Sequence, residues 1–286
     1  MTTTLERVPK RSENVSLRRL RRNSGAMLGF VLLLFLLVAA LIGPLFLGSP
    51  GAQDLAVRLS PPSAAHWLGT DQLGRDVLTR VLNGARISLS LGVGVMLASL
   101  VSGSLIGLLA GLLGGWWDEV LMRVTDVFLA FPSLILAMAI SAALGPSLTN
   151  VMIAVALVSW PTYARLIRAQ VLALREREFV EAARALGSSQ GRVALRHLLP
   201  NSLAPLLVQG SFDVGSAILT AAGLGFIGFG AQPPTPEWGA MVSETRNYIS
   251  QAPWASSAPA VAILLTVLAF NLIGDGLRDV FDPRGR

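Results

Sequence analysis

The 286-residue chain is 52% apolar and only 14% charged. Soluble domains carry about a quarter charged residues, so this composition excludes a water-soluble globule and points to a polytopic membrane protein. The absence of cysteine removes disulfide frameworks, thiolate metal sites and cysteine nucleophiles.

The net charge of +6 comes from arginines and a single lysine. Seven of these cations, Arg7, Lys10, Arg11, Arg18, Arg19, Arg21 and Arg22, crowd a basic tail, residues 1–24, against only Glu6 and Glu13. No aromatic residues interleave them, so the tail reads as a topology signal and no nucleic-acid partner is expected. Residues 25–47 are uncharged and almost wholly apolar, long enough to cross a bilayer and too long for a secretory signal core. They are expected to be an uncleaved first span. The positive-inside rule then places the N-terminus in the cytoplasm.

Residues 48–86 form an extracytoplasmic loop punctuated by Pro50, Pro61 and Pro62. Within it, Asp71/Arg75 and Asp76/Arg80 are acid-before-base pairs at i,i+4, and Leu73, Val77, Leu78, Val81 and Leu82 share a helical face. The pattern predicts a short amphipathic surface helix. Residues 87–117 carry no charge and give the second span, with Ser99, Gly103, Gly107 and Gly111 as a small-residue stripe for close helix packing. A turn through Gly114, Gly115, Trp116 and Trp117 leads to a third span over residues 120–143, whose first turns hold Arg123 and Asp126 as an expected interfacial ion pair. Gly145, Pro146 and Ser147 break the run, and the fourth span covers residues 148–163.

Parity returns the chain to the cytoplasm for residues 164–200, which hold Arg165, Arg168, Arg175, Arg177, Arg184, Arg192 and Arg196 against three glutamates. The positive-inside rule agrees. The fifth span begins near Pro205, ends near Phe229 and contains Asp213, a candidate pathway-lining carboxylate or an interhelical hydrogen-bonding group. Gly223, Gly225 and Gly228 match a dinucleotide-binding pattern, but no strand precedes them, and helix packing explains them better. A loop with Pro233, Pro234 and Pro236 precedes the sixth span at residues 257–274, and residues 276–286 form a cytoplasmic tail. The spans at 87–275 make a five-helix core. His66 and His197 are far apart in sequence, and no phosphate-binding loop, zinc-protease motif or serine-nucleophile motif occurs, so neither a metal centre nor a catalytic residue is expected. If the chain moves a solute with energy, that energy must come from an ion gradient or from a separate motor.

The polar stretch at 172–201 reads as two short helices with a corner. Phe179, Ala182, Ala183 and Leu186 form an apolar stripe, Gly187 permits the left-handed conformation, Ser188 or Ser189 can cap the next helix, and Pro200 closes it. Such a hairpin is either solvated or docked on a partner; an unburied stripe favours docking.

Glu181, Ala182 and Ala183, then Gly187, then Leu199 and Pro200 resemble the EAA loop of permease subunits of ATP-binding cassette importers. His197 departs from the isoleucine often found there. The stretches LGTDQLGRDVLTRVLNGARISLSLG, RVTDVFLAFPSLILA, GFGAQPPTPEWGAM and ILLTVLAFNLIGDGLRDVFDPR are similar to the second permease subunit of the dipeptide/oligopeptide/nickel branch, and the likeness covers nearly the whole chain beyond the tail. The resemblance implies an all-α type I importer permease fold of six transmembrane helices in a bacterial inner membrane. It implies a homologous permease partner in a heterodimer, two cytoplasmic ATPase subunits and an extracytoplasmic solute-binding protein. ATP and magnesium would belong to the ATPases, and this chain would hold no cofactor. It also implies polar contacts to an ATPase from Glu181, close approach at Ala182 and Ala183, and a corner at Gly187. Peptides are the expected cargo. Nickel or glutathione carried by the same machinery is an alternative. A self-contained gradient-driven transporter is another, although few ionisable groups lie in the spans.

Overall fold

The computed structural model describes residues 23–281. Most of the expected basic tail and the last five residues of the chain lie outside them. Among the described residues the regular structure is helical, apart from one isolated bridge between Thr70 and Asp76. In chain order the helices are α1 (Ser24–Phe46), α2 (Val77–Leu113), α3 (Gly115–Leu129), α4 (Ser133–Leu144), α5 (Leu148–Leu174), α6 (Glu178–Ala185), α7 (Gln190–Val193), α8 (Leu199–Ile227), α9 (Trp238–Thr245) and α10 (Pro253–Phe281). A π turn, Ala194–Leu198, joins α7 to α8. Among the described residues, α1, α2, α5, the stretch Gln190–Ile227 and α10 are each long and apolar enough to cross a bilayer, and the bent pair α3–α4 supplies a sixth crossing.

The bundle is built around the seam of α2 and α5, which run parallel. The small-residue stripe sits on it as expected. A Cβ at Gly103 or Gly107 would collide with the carbonyl oxygens of Trp160 and Ala164, and one at Gly111 would stand 2.7 Å from a methyl of Val171. The backbones are therefore in direct contact, an approach only glycine allows. α8 packs antiparallel on α2, with Val214 and Ile218 against Leu89. α10 lies on α8 and α1. One end of the bundle holds the α6–α7 hairpin, and the other holds the long loops before α2 and after α8.

The third span is not continuous. α3 and α4 meet at 89° across residues 130–132. Phe131 precedes Pro132, the N-cap of α4, and a residue before proline is driven out of helical conformation. α3 packs antiparallel along α5, with Asp118 at Arg168, Asp126 at Arg165 and Phe128 against Trp160. This sets the ion pairs: Asp126 meets Arg165 at 2.7 Å and Asp118 chelates Arg168 at 2.5 and 2.6 Å, while Arg123 reaches only Glu119 at 3.6 Å. The expected Arg123–Asp126 pair is not formed, because α5 offers Asp126 a partner on a different helix.

The expected surface helix before the second span is also absent. Residues 66–76 are turns, and α2 begins at Val77 and runs for 37 residues, about 55 Å. Asp76 caps it, accepting from the Thr79 N–H at 2.7 Å. Gly74 blocks an earlier start: it has φ +70, and its α-carbon is pressed against the Asp54 backbone. Asp76 also takes His66 Nδ1 at 2.9 Å and does not pair with Arg80.

Arg75 and Arg80 are instead buried, each 1% exposed. Arg75 donates to Asp71 at 2.6 Å and to Glu244 of α9 at 2.5 Å; Arg80 donates to the same two carboxylates at 2.8 and 3.2 Å. Two cations and two anions thus clamp the pre-α2 loop onto α9. Burial pushes the Glu244 carboxyl above the usual carboxylate range, against the pull of Arg75. Beside the clamp, Glu237 caps α9, accepting from Gly239 and Ala240 N–H at 2.9 and 2.8 Å, and burial raises its carboxyl as well.

Arg80→Met removes one cation and leaves two buried carboxylates short of a partner. It is expected to destabilise the purified protein by about 3–5 kcal/mol in a denaturation series. Arg123→Met, at an exposed pair, should change stability by less than about 0.5 kcal/mol. Gly107→Val should abolish the stable bundle, read as loss of a monodisperse species in detergent. Wild-type stability of either Arg80→Met or Gly107→Val would contradict this packing.

Candidate functional site

The stretch that sequence singles out as a docking element folds as a helical hairpin rooted in the bundle. α6 is amphipathic with its faces sharply divided. Val180 is fully buried, packed with Val171 of α5 and with Val193, Ala194 and Leu198 of the returning arm, and Ala183 is nearly buried. On the other face Phe179, Ala182 and Leu186 are exposed, Leu186 to 86%. The spacing of these three, i, i+3 and i+7, draws a single stripe along the helix. Ala183 thus belongs to the inner face and not to the exposed stripe expected from sequence.

The corner forms as its residues dictate. Gly187 has φ +80, the left-handed conformation that closes a helix. The Gly187 N–H donates to Arg184 O at 2.9 Å and the Ser188 N–H to Ala183 O at 3.0 Å. Ser189, not Ser188, caps α7, accepting from the Arg192 N–H. Pro200 does not close the hairpin. The helical path is continuous from Gln190 to Ile227, and Pro200 lies in the first turn of α8, directly after the π turn. The wider turn accommodates the missing proline N–H, so the hairpin's second arm and a membrane span are one rod. His197 stands with its ring centroid 6.4 Å from that of Phe179 and so packs beside the exposed stripe. Glu181 opens on a polar hollow of about 210 Å³ with Arg175, Arg184 and Gln190, at the point where α2 ends. Arg175 Nη1 lies 3.5 Å from the Gly111 carbonyl oxygen there, joining the hairpin base to the glycine seam. Leu199 is half-buried and Pro200 exposed at the foot of the rod.

Asp213 lies apart from the hairpin, halfway along α8. Gln209 Nε2 donates to its Oδ1 at 3.0 Å, and its Oδ2 is buried without a partner. The Tyr163 hydroxyl of α5 lies beside the carboxylate, itself without a bond of normal geometry. Asp213 opens on a small cavity with Ser99, Ser133, Ser159, Ser216 and Thr220. Gly223, Gly225 and Gly228 lie in the last turns of α8 and its cap, where Gly225 packs against α9. Among the described residues, no cluster of three or more metal-ligating side chains forms.

The comparisons with known proteins agree with one another. The family model described as binding-protein-dependent transport system inner membrane component matches residues 103–286. The model for the N-terminal transmembrane domain of oligopeptide transport permease C matches residues 15–62. The dipeptide transport system permease protein DppC of Alkalihalophilus pseudofirmus is 48% identical over 93% of this chain and 88% of its own length. The probable D,D-dipeptide transport system permease protein DdpC of Escherichia coli (strain K12) is 50% identical over 89% of this chain and 86% of its own. The glutathione transport system permease protein GsiD of Pectobacterium atrosepticum is 48% identical over 78% of this chain and 74% of its own. An inward-facing structure of the MetNI methionine ABC transporter superposes with a TM-score of 0.58 at 18% identity, over 71% of this chain and 96% of that chain, a likeness of fold. On its sequence and its six-crossing helical architecture, the chain belongs to the family of binding-protein-dependent transport system inner membrane components, the permease subunits of ATP-binding cassette importers.

Proposed function

We infer that the chain forms one half of the membrane pathway of an ATP-driven importer of small peptides, and that the α6–α7 hairpin receives the mechanical input. The carrying observation is the division of α6: an inner face fused to the bundle core and an outer stripe with nothing over it. Burying Leu186 against a partner would contribute about 1.5–3 kcal/mol, and covering the exposed 44% of Phe179 roughly half as much, enough to favour docking over solvation. Ala182 between them lets that partner approach closely. Glu181 supplies a polar contact at the same edge, Ala183 anchors the helix from within, and Leu199 and Pro200 join the hairpin to α8.

Seven arginines, Arg165, Arg168, Arg175, Arg177, Arg184, Arg192 and Arg196, lie at or near this end of the bundle. That asymmetry supports a cytoplasmic hairpin with both termini on the same side. The partners on that side are two ATPase subunits, which bind ATP with magnesium and carry out its hydrolysis. A homologous permease subunit completes the pathway, and an extracytoplasmic solute-binding protein delivers cargo to the opposite end. Peptide cargo rests on the named cargo of the relatives. In this account the hairpin works as a lever: its second arm continues into α8, and its base is joined to the ends of α2 and α5. A push on α6 therefore reaches three spans. Asp213, halfway along the rod, lines the pathway.

Gly187→Val tests the corner. Nothing crowds the position, so the substitution acts through backbone conformation alone, at a cost of roughly 1–2 kcal/mol. In proteoliposomes holding the whole complex, ATP-driven uptake of a labelled dipeptide should fall at least about fivefold, while Gly187→Asn, which tolerates positive φ, should retain most of it. Undiminished uptake with valine would remove the coupling role. Gradient-driven uptake by the permease subunits without any ATPase would overturn the importer reading.

A further inference from the structure

The cavity at Asp213 has a chemical character that the coupling hairpin does not explain. Its volume is about 60 Å³, room for one small charged group with a water or two and too little for a dipeptide. Asp213 is the only charged side chain on its wall. Among the described residues no cation pairs with it, although every other carboxylate inside the bundle or its clamp has a cation or a helix cap. The rest of the wall is rich in hydrogen-bond acceptors. Ser159 spends its proton on the Val155 carbonyl at 2.8 Å and Ser99 on that of Ala156 at 3.3 Å, which leaves their oxygen lone pairs free. Gln209 is already committed to Asp213 Oδ1; the Tyr163 hydroxyl, a second donor, lies beside the carboxylate without a bond of normal geometry, and Oδ2 has no partner. The broken third span adds a second feature. Ser133, the first residue of α4, opens on the same cavity, and α4 begins there without a side-chain cap. Its end carries about half a positive charge, less than the carboxylate it faces, so the cavity remains net negative. In membrane transporters, substrate sites lie beside discontinuous helices whose N-termini face anionic groups, so here the negative character of the cavity comes from Asp213 and not from the break. Ser216, on the rim, is exposed, so the cavity opens out of the chain and is reachable.

We propose that this cavity, where Asp213 of α8 faces the hydroxyls of α2, α5 and the start of α4, is a subsite for one positive charge crossing the bundle. For peptide cargo that charge is the protonated amino terminus. The proposal rests on the importer reading above. An ammonium group and an alkali cation share the required chemistry, and the test separates them.

The test uses the complete complex in proteoliposomes, with its binding protein, ATP and a labelled dipeptide. Asp213→Asn keeps the shape and the Gln209 bond while removing the charge. The maximal uptake rate is expected to fall about tenfold, the scale of one lost charge-assisted hydrogen bond. The half-saturating peptide concentration, set by the binding protein, stays unchanged, and ATP consumed per peptide rises. Asp213→Glu should stay within about threefold of the unsubstituted rate. If Asp213→Asn does not assemble with the ATPases, Ser216→Val on the exposed rim is measured instead and should lower the maximal rate severalfold. Uptake by Asp213→Asn, or by Ser216→Val in its place, within about twofold of the unsubstituted complex overturns the proposal, as does an Asp213→Glu loss equal to that of Asp213→Asn. Replacing sodium by N-methylglucamine should leave uptake unchanged; a sodium requirement present in the unsubstituted complex and absent in Asp213→Asn overturns the amine assignment in favour of an alkali cation. No ATP-driven uptake by the unsubstituted complex would remove the importer reading and this inference with it, whereas normal uptake unaffected by Asp213→Asn removes this inference alone.

Discussion

The close contact of α2 with α5 is the constraint from which the rest of the bundle follows. In a bilayer, apolar side chains gain little by leaving lipid for protein, so helices associate through van der Waals fit. Gly103, Gly107 and Gly111 supply that fit by bringing two backbones together. Because the two helices run parallel, both end at the same face, at Leu113 and Leu174. The hairpin that follows α5 therefore lands on the end of α2, and Val180, Val193 and Leu198 complete a core that Val171 and Tyr163 begin. A seam of glycines thus fixes where a force on the hairpin enters the membrane region.

The opposite end is held by different physics. There the loop before α2 and helix α9 are locked by Asp71, Arg75, Arg80 and Glu244, a balanced set of two cations and two anions away from water. Such a cluster adds little net stability over apolar packing, but it tolerates no substitution of one member, which makes it a fastener of fixed geometry. The bundle is pinned at one end by charge and joined along its length by glycine. The weakly covered parts are the outer stripe of α6 and the break at Pro132. Under the proposed role these are the compliant elements, one beside the hairpin and one beside the Asp213 cavity.

Much of this was legible in the sequence, and the failures have physical causes. Charge-free runs located the spans because the bilayer penalises charge everywhere along them. The glycine stripe and the Gly187 corner were readable because only glycine satisfies close approach and positive φ. Four features were not readable. Arg75 and Arg80 showed helical spacing to acidic partners, but spacing carries no information on burial, and their shared partner Glu244 is far along the chain. Pro132 was visible as a residue, yet prolines are tolerated inside membrane helices, as Pro161, Pro205 and Pro259 are here, so the residue alone did not foretell an 89° bend. Pro200 erred in the other direction: a proline that should stop a helix is absorbed by a π turn. Ala183 was assigned to the wrong face because alanine suits either side of an amphipathic helix.

The central claim is that the outer stripe of α6 sits against an ATPase. The chain has no cysteine, so Ala182→Cys creates a unique thiol in the middle of that stripe. In the assembled complex, a short bifunctional reagent reacting with this thiol is predicted to link the chain to an ATPase subunit, with a yield that changes when ATP is added. Gly51→Cys, at the opposite end of the bundle, should give no such product. Free accessibility of the Ala182→Cys thiol to a bulky water-soluble reagent in the intact complex, with no cross-link to an ATPase, would contradict the account.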